Sequence, residues 1–212
     1  LQGLSFSVKE GEQVTLTGRT GAGKSTIFKL LLGLYKPQKG QVLINGQPAL
    51  TLSDHQRRKT ISCVEQNFSM VPGTVRDQIT LFDPSISDEQ VQYAAHLTGL
   101  HDVICGFPDG YDTLCRTDLF SQGQWQLLSI ARAVAANPRI LLLDEITANL
   151  DADTEKAVLS ALNRAGNGRT VLSISHRYMN PLMQKVKKEA ARLQSDGKHP
   201  FGTYLLLKFF RL

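Results

Sequence analysis

The run Gly18-Arg-Thr-Gly-Ala-Gly-Lys24-Ser25 constrains this chain more than any other feature of its sequence. It matches the pattern G-x-x-x-x-G-K-[ST] in full, with a β-prone run, Gln13–Thr17, before it and a helical pattern, Lys24–Leu34, after it. Glycines let the backbone curl until several N–H groups point at one place, where phosphate oxygens bind. The pattern therefore predicts a phosphate-binding loop, in which Lys24 contacts the β and γ phosphates and the Ser25 hydroxyl contacts Mg²⁺.

A second motif is an apolar run that ends in two acids, Ile140-Leu-Leu-Leu-Asp144-Glu145. Alone, it could be a buried strand that meets solvent. With a phosphate-binding loop upstream, Asp144 suits a Mg²⁺ site and Glu145 suits a base that polarises the attacking water. Open α/β sheets bind ligands at the carboxyl ends of their parallel strands, which is where this pair is expected to lie.

Strand and helix patterns alternate at the two ends of the chain, and the pattern between about residues 72 and 136 is mostly helical. This arrangement predicts an α/β fold with a parallel sheet that carries an inserted helical subdomain. Ser87 with Gln90 resembles a capping box, and Asn45-Gly46 is a strong turn signal. The predicted strands are Leu1–Val8, Gln13–Thr17, Gln41–Ile44, Ile61–Val64, Arg139–Leu143 and Thr170–Ser175, and the longer predicted helices are Lys24–Leu34, Ser87–Leu97, Gln122–Ala136 and Thr154–Arg164.

Length and composition indicate a globular domain of 212 residues, 42% hydrophobic and 20% charged. No apolar run approaches the ~20 residues of a membrane helix, and no secretory signal opens the chain. Three cysteines without metal-type spacing favour a reduced, cytosolic setting. Because the first residue is not Met, we expect a chain cut from something longer or trimmed at its start.

The net charge of +5 is concentrated in one segment. Residues 177–212 hold eight Lys/Arg and two Asp/Glu, whereas the preceding 176 residues hold 16 Lys/Arg and 17 Asp/Glu. An argument for nucleic acid or membrane binding from the overall charge would therefore rest on the tail alone.

The segment Phe120-Ser121-Gln122-Gly123-Gln124 and the helical pattern after it closely resemble the signature motif of the ATP-binding-cassette (ABC) family. By itself, S-x-G-Q is also a common helix N-cap string. In the family context, Ser121, the N–H of Gly123 and a helix N-terminus would form a second anion site, facing a phosphate brought by another copy. The sequence departs from the family at Phe120, where Leu is usual, and at Trp125, where a basic or polar residue is common.

Other family marks follow in the expected order. Gln66 resembles the Q-loop glutamine, and Gly73–Ile79 resembles an exporter segment near the membrane helices. Ala148-Asn-Leu-Asp151 resembles the D-loop, which crosses the dimer interface, and His176 resembles the switch histidine that contacts the γ-phosphate. The resemblance covers about residues 1–177, so the expected division is an ABC ATPase domain at 1–177 and an atypical basic tail at 178–212.

The resemblance implies a RecA-like P-loop core that binds and hydrolyses MgATP and powers an exporter-type transporter. It implies a head-to-tail dimer with a second, identical or different ABC domain, at the cytoplasmic face of the membrane. The transmembrane domain would be fused upstream or on a separate chain, and no nucleic acid is expected. The implied catalytic residues are Glu145, His176 and Gln66, the metal-site residues are Ser25, Gln66 and Asp144, and the ATP-binding residues are Gly18, Arg19, Thr20, Gly21, Ala22, Gly23, Lys24, Ser25, Thr26, Ser121, Gly123, Gln124 and Asp151.

Three departures from the family pattern stand out. The family stacks adenine on an aromatic residue upstream of the first strand, and we expect that residue to lie outside this sequence. The Gly-Glu pair that exporters carry before the signature has no counterpart in Tyr111–Leu119. The tail has three interpretations: a membrane-surface helix around Met179–Gln194, a family-specific helix against the core, or a scrambled end such as a frameshifted reading.

Two other function classes remain open from the sequence. One is a soluble ABC ATPase that acts on DNA or ribosomes, although this chain has neither a long coiled coil nor two cassettes. The other is a non-catalytic cassette in an asymmetric pair, against which the presence of both Glu145 and His176 counts.

Overall fold

A computed structural model describes residues 4–19, 21–65, 67–144, 146, 150–174 and 204–208, and for the last range only the backbone. The chain forms two four-stranded sheets and seven α-helices within these residues. The strands are β1 Ser5–Lys9, β2 Gln13–Leu16, β3 Gln41–Ile44, β4 Gln47–Pro48, β5 Ile61–Val64, β6 Ile140–Asp144, β7 Thr170–Ile174 and β8 Tyr204–Lys208. The helices are α1 Lys24–Leu31, α2 Asp54–Thr60, α3 Val75–Thr80, α4 Asp88–Thr98, α5 His101–Cys105, α6 Gln122–Ala135 and α7 Ala152–Gly166.

The central sheet is parallel and has the strand order β2-β7-β6-β5. Ile140, Leu141, Leu142 and Leu143 are all almost fully buried, because helices cover both faces of the sheet. Successive side chains alternate between faces, so Leu141 and Leu143 join one core while Ile140 and Leu142 join the other. The prediction of an α/β fold with a parallel core is confirmed.

The two cores separate the helices into two groups. The core with Leu141 contains residues of α3, α4, α6 and α7, and the core with Leu142 contains residues of α1, β1 and β3. The helices α3 to α6 follow one another between β5 and β6 in the chain. The helix that follows the phosphate-binding loop and the helix that follows Ser121 therefore pack on opposite faces of the central sheet.

The second sheet is antiparallel, with the order β1-β8-β3-β4. Asn45 and Gly46 both have positive φ in the β3–β4 turn, as their sequence predicts. The strand β8 pairs with both β1 and β3. None of the three interpretations of the tail given above includes a strand at this position. Residues 175–203, which include the amphipathic stretch Met179–Gln194, lie outside the described part of the chain.

The helix after the phosphate-binding loop is shorter than the predicted Lys24–Leu34. It ends at Leu31, because Gly33 takes φ +68° and the N–H of Leu34 bonds back to the carbonyl of Lys29 at 2.8 Å. Leu34 is consequently 67% exposed and does not join the buried face of the helix.

Candidate functional site

The phosphate-binding loop connects β2 to α1, as its sequence predicts. Gly21 and Gly23 take φ values of +81° and +87°, in the left-handed region that glycine reaches without strain. The Lys24 side chain folds back into the loop, where its Nζ donates to the carbonyls of Gly18 at 2.8 Å and Arg19 at 3.1 Å. Only 9% of Lys24 is exposed, so the loop wraps its ammonium group.

The first turn of α1 is chemically suited to an anion. No side chain caps its N–H groups, and the turn contains no acidic residue. Ser25 and Thr26 lie exposed in this turn beside Lys24. Unpaired N–H groups at a helix N-terminus together with a lysine ammonium attract phosphate, so these residues fit the ligand that their sequence predicts.

The parallel sheet brings the loop and Asp144 to the same edge. Leu16 and Asp144 are both in register with Ile174 of β7, which lies between their strands. Neighbouring strands are ~4.8 Å apart, so the end of β6 lies ~10 Å from the start of the loop. Asp144 is half-buried at this edge. The sheet thus gathers a phosphate-type loop and a carboxylate where open α/β sheets bind ligands.

The side-chain oxygens of Ser25 and Asp144 suit Mg²⁺ better than a transition metal. No group of three or more His, Cys, Asp or Glu residues arranged to hold a metal occurs in the described part of the chain. Mg²⁺ needs no such group, since it commonly takes one or two carboxylates, a hydroxyl and phosphate oxygens, and keeps several waters. Ser25 and Asp144 are side chains of the required kind.

Ser121 is the N-cap of α6. Its Oγ accepts from Gln124 N at 3.2 Å, and the Gln124 side chain accepts from Ser121 N at 2.9 Å, which completes a capping box. Both the N-cap interpretation of the S-x-G-Q string and an anion-facing role are compatible with this geometry, because the Ser121 hydroxyl proton is not used in the cap. Ser121 is exposed and Gly123 is buried.

Asp151 caps α7 in the same way that Ser121 caps α6. Its carboxylate accepts from Asp153 N at 3.1 Å and from Thr154 N at 3.0 Å. These hydrogen bonds, of which those from Thr154 contribute most, hold the pKa of the exposed Asp151 carboxyl below its usual value. The N-termini of α6 and α7 lie side by side, since a Cβ added to Gly123 would clash with Thr154 Cγ2.

Four of the predicted site residues lie outside the described part of the chain: Thr20, Gln66, Glu145 and His176. Their assignments therefore remain predictions from the sequence. Gln66 follows β5, Glu145 follows β6 and His176 follows β7 by position in the chain. All three strands run toward the edge of the sheet at which the loop begins.

The structure also shows a polar network that the sequence does not reveal. Arg132 of α6 donates to the carbonyl of Gln78 at 2.6 Å and to that of Ser69 at 2.9 Å, and its guanidinium lies 3.9 Å from the centre of the Phe68 ring. Burial lowers the Arg132 pKa to about 10, so the group stays charged at neutral pH. The spacing of 54 to 64 residues between Arg132 and these partners gives no sequence signal.

A cavity of about 260 Å³ borders this network and is separate from the phosphate-binding loop. Its lining includes Cys63, Asn67, Phe68 and Ser69 on one side and Ser129 and Arg132 of α6 on the other. Burial, together with the charges of Glu65 and Asp144, raises the pKa of the Cys63 thiol to about 12, so this cysteine is a poor nucleophile at neutral pH.

No helix in the described part of the chain combines the length and the apolar character that a bilayer span requires.

Comparison with known proteins identifies the family. The ABC transporter family profile matches residues 1–148. The Toxin RTX-III translocation ATP-binding protein of Actinobacillus pleuropneumoniae is 39% identical over 204 residues, which is 94% of this chain and 29% of that protein. The Alpha-hemolysin translocation ATP-binding protein HlyB of Escherichia coli is 36% identical over 203 residues, with the same coverage.

A solved structure, that of a bacterial Atm1-family ABC exporter with ATP bound, matches 82% of this chain and 31% of its own with a TM-score of 0.71 and 38% identity. The chain thus spans about 29% to 31% of the length of these relatives. The family profile, the relatives and the matching fold agree with the motifs described above. The chain therefore belongs to the ABC transporter family, as an exporter-type nucleotide-binding domain of the ATPase class.

Proposed function

We propose that this chain binds MgATP and hydrolyses it to power transport across a membrane, as a head-to-tail dimer with a second ABC domain. It would work at the cytoplasmic face of the membrane, with a transmembrane domain that is fused upstream or on a separate chain. The observation that carries the proposal is the geometry of Lys24, whose Nζ the loop holds through Gly18 O and Arg19 O at the uncapped N-terminus of α1.

The loop residues Gly18–Thr26 bind the phosphates of ATP. Backbone N–H groups of the loop and of the first turn of α1 donate to phosphate oxygens, and Lys24 exchanges its loop carbonyls for the β and γ phosphates. Ser25 and Asp144, with Gln66, would hold Mg²⁺, which when bound supplies neutralising charge on the phosphates.

The hydrolytic step uses residues that follow the parallel strands. Glu145, next to Asp144 in sequence, acts as the base that accepts a proton from the attacking water. Gln66 and His176 orient the water and the γ-phosphate. A preorganised arrangement of this kind speeds hydrolysis by positioning and by charge stabilisation in a site that excludes bulk water.

The second half of each site comes from the other domain of the dimer. Ser121, Gly123 and Gln124 at the start of α6, with Asp151 at the start of α7, would contact the nucleotide or the interface of the partner. The support for this arrangement is that α1 and α6 pack on opposite faces of the central sheet, so one domain does not enclose a nucleotide between them. The exporter and translocation proteins among the relatives favour a transporter over an ATPase that acts on DNA or ribosomes.

The substitution Glu145→Gln tests the hydrolytic role. It keeps the size of the side chain but removes the base, so turnover should fall by ~10²-fold or more while ATP still binds. Light scattering after size exclusion should then show an ATP-dependent dimer. Glu89→Gln, at an exposed position in α4, is the matched control and should hydrolyse ATP normally. Turnover that survives in Glu145→Gln would refute the base assignment.

Lys24→Ala tests the binding role of the loop. Hydrogen bonds to a charged group contribute ~1.5–3 kcal/mol each, so the ATP affinity measured by calorimetry should fall by at least ~10-fold. Lys29→Ala removes an exposed lysine from the same helix and should leave the affinity unchanged. An unchanged affinity in Lys24→Ala would mean that this loop is not the nucleotide site.

A further inference from the structure

A histidine and a cysteine form a pair on α5, at the surface of the molecule. His101 and Cys105 are four residues apart and therefore share one face of the helix. His101 Nε2 lies 3.5 Å from Cys105 Sγ, within hydrogen-bond range of a sulfur atom. Cys105 is exposed, so a small molecule in the solvent can reach its sulfur. The pair thus places a nitrogen base beside an accessible thiol.

Two ring side chains from neighbouring elements hold the His101 ring in this orientation. The Tyr111 hydroxyl, in the 3₁₀ turn Gly110–Asp112, lies 2.9 Å from His101 Nδ1. The His96 ring, in the last turn of α4, stacks on the His101 ring at a centroid distance of 3.7 Å and an interplanar angle of 21°. One nitrogen and one face of the His101 ring are therefore occupied, and the other nitrogen is directed at the thiol.

Both ring nitrogens of His101 also have partners when the ring takes up the thiol proton. In that form, Nδ1–H donates to the Tyr111 oxygen and Nε2–H donates to the Cys105 sulfur. Burial raises the pKa of Tyr111 to about 12, so this oxygen belongs to a neutral hydroxyl at neutral and mildly alkaline pH. A nucleophile, a base beside it and a third group that orients the base are the parts from which proteins build an activated thiol.

The other two cysteines lie in surroundings that oppose ionisation. Burial is the main cause that raises the pKa of Cys63 to about 12, and burial also raises the pKa of the Cys115 thiol. Because the thiolate is the nucleophilic form, both side chains should react slowly at neutral pH. Cys63 and Cys115 therefore serve as internal comparisons for the reactivity of Cys105 within the same chain.

We propose that Cys105 is a modification site that forms a mixed disulfide with low-molecular-weight disulfides, with His101 as its base and Tyr111 as a positioning residue. His101 Nε2 takes the thiol proton as the Cys105 sulfur attacks one sulfur of the disulfide. The disulfide bond breaks, and the leaving sulfur receives the proton from His101 and departs as a thiol. Cys105 is oxidised and half of the small disulfide is reduced. None of these residues belongs to the candidate nucleotide site, so the inference goes beyond the proposed function.

The rate at which the full chain reacts with hydroxyethyl disulfide tests this proposal, with mass spectrometry of the intact chain and of its peptides as the readout. The probe is uncharged, so the carboxylates of Asp102 and of Asp112, which pairs with Arg76 at 3.3 Å, neither attract nor repel it. An ordinary thiol is ~3% ionised at pH 7 and ~75% ionised at pH 9, so a base accelerates the reaction mainly at pH 7. Native Cys105 should react ~5-fold or more faster at pH 7 than the same cysteine in urea, and about equally fast at pH 9.

Three variants separate the base from its surroundings. His101→Gln removes the base and should slow Cys105 by ~5-fold or more at pH 7 but by less than ~2-fold at pH 9. Tyr111→Phe keeps the ring without the hydroxyl and should slow Cys105 by ~3-fold at pH 7, with the same narrowing at pH 9. A substitution that merely closed access to the sulfur would slow the reaction equally at both pH values. His96→Gln is the matched control and should stay within ~2-fold of the wild type, because the base and its Tyr111 contact remain.

The outcomes are decisive in both directions. Equal slowing by His96→Gln and His101→Gln would overturn the role of His101, as would a deficit in His101→Gln that persists at pH 9. Labelling of Cys63 or Cys115 ahead of Cys105, or a native rate at pH 7 no higher than the rate in urea, would overturn the site itself. If His101→Gln fails to fold by circular dichroism, the wild-type rates and Tyr111→Phe still decide. None of these measurements uses nucleotide, so their failure leaves the proposed function intact.

Discussion

Gly123 lies in the first turn of α6, where a packing contact excludes a side chain and the proposed phosphate contact would exclude one as well. A Cβ at this position would clash with Thr154 Cγ2, so the close contact of α6 with α7 depends on the absence of a side chain here. The same absence would let a phosphate approach the Gly123 N–H, as the family resemblance implies. Sequence reasoning names only the second requirement, because the contact with Thr154 bridges residues 31 positions apart.

A double substitution separates the two requirements. Gly123→Ala should lower the free energy of unfolding by ~1–3 kcal/mol through overpacking against Thr154. Adding Thr154→Ser removes the clashing methyl group and should recover that loss, since Ala is also the better helix former. Urea denaturation measures the stability, and the ATPase rate of the double variant measures access to the phosphate.

Recovered stability with a lost ATPase rate would support a phosphate contact at Gly123. Recovery of both would mean that Gly123 serves only the packing of α6 on α7. Thr154→Ser alone is the control, and it should change neither quantity by much because Thr154 is half-buried and retains its hydroxyl.

At the scale of elements, α6 is the helix whose start carries Ser121, Gly123 and Gln124 of the candidate site. A capping box and the contact of the Phe120 and Trp125 rings define its start, and Gln126 and Arg132 attach it to the segment after β5. The helix α4 begins with an equivalent capping box, in which Ser87 Oγ accepts from Gln90 N at 3.3 Å. This pair of helices offers a matched comparison of a cap with and without a proposed ligand.

Ser121→Ala and Ser87→Ala should each lower the free energy of unfolding by ~1 kcal/mol, because each removes a cap. Only Ser121→Ala should also reduce the ATPase rate. Ser121→Asp keeps a capping carboxylate and should retain stability, but its negative charge would repel a phosphate and abolish turnover. Thermal unfolding and steady-state ATPase assays measure the two effects, and normal turnover in Ser121→Asp would exclude a phosphate at this position.

At the scale of the whole molecule, the parallel sheet decides which residues meet. Its order β2-β7-β6-β5 gathers the ends of four strands at one edge, so that Leu16, Ile174 and Asp144 share one row. Cys63 lies on β5 beside this edge, and burial with the nearby charges of Glu65 and Asp144 raises its pKa from 9.0 to about 12. Global unfolding releases the thiol from these surroundings, so its ionisation reports on the stability of the whole fold.

The raised pKa predicts a loss of stability at alkaline pH. A folded pKa above the unfolded one stabilises the fold fully below pH 9, and this contribution disappears as the pH rises from about 9 toward 12. Between pH 8 and pH 10, the unfolding free energy should fall by ~1 kcal/mol more in the wild type than in Cys63→Ala. Cys105→Ala, at an exposed cysteine, is the control and should follow the wild type in urea denaturation.

The sequence by itself determined the glycine-rich loop between β2 and α1, the α/β class, the parallel core, the capped start of α4 and the start of α6 at Gln122. These features are local, because a loop, a cap or an apolar strand is written in a few consecutive residues. It placed the end of α1 three residues too late and did not predict β8 or the contacts of Arg132, Phe68 and Thr154. Only the tertiary structure decided these features. The strand β8 and the side-chain contacts depend on partners distant in the chain, and the end of α1 depends on the positive φ of Gly33, which the apolar pattern that continues to Leu34 does not show.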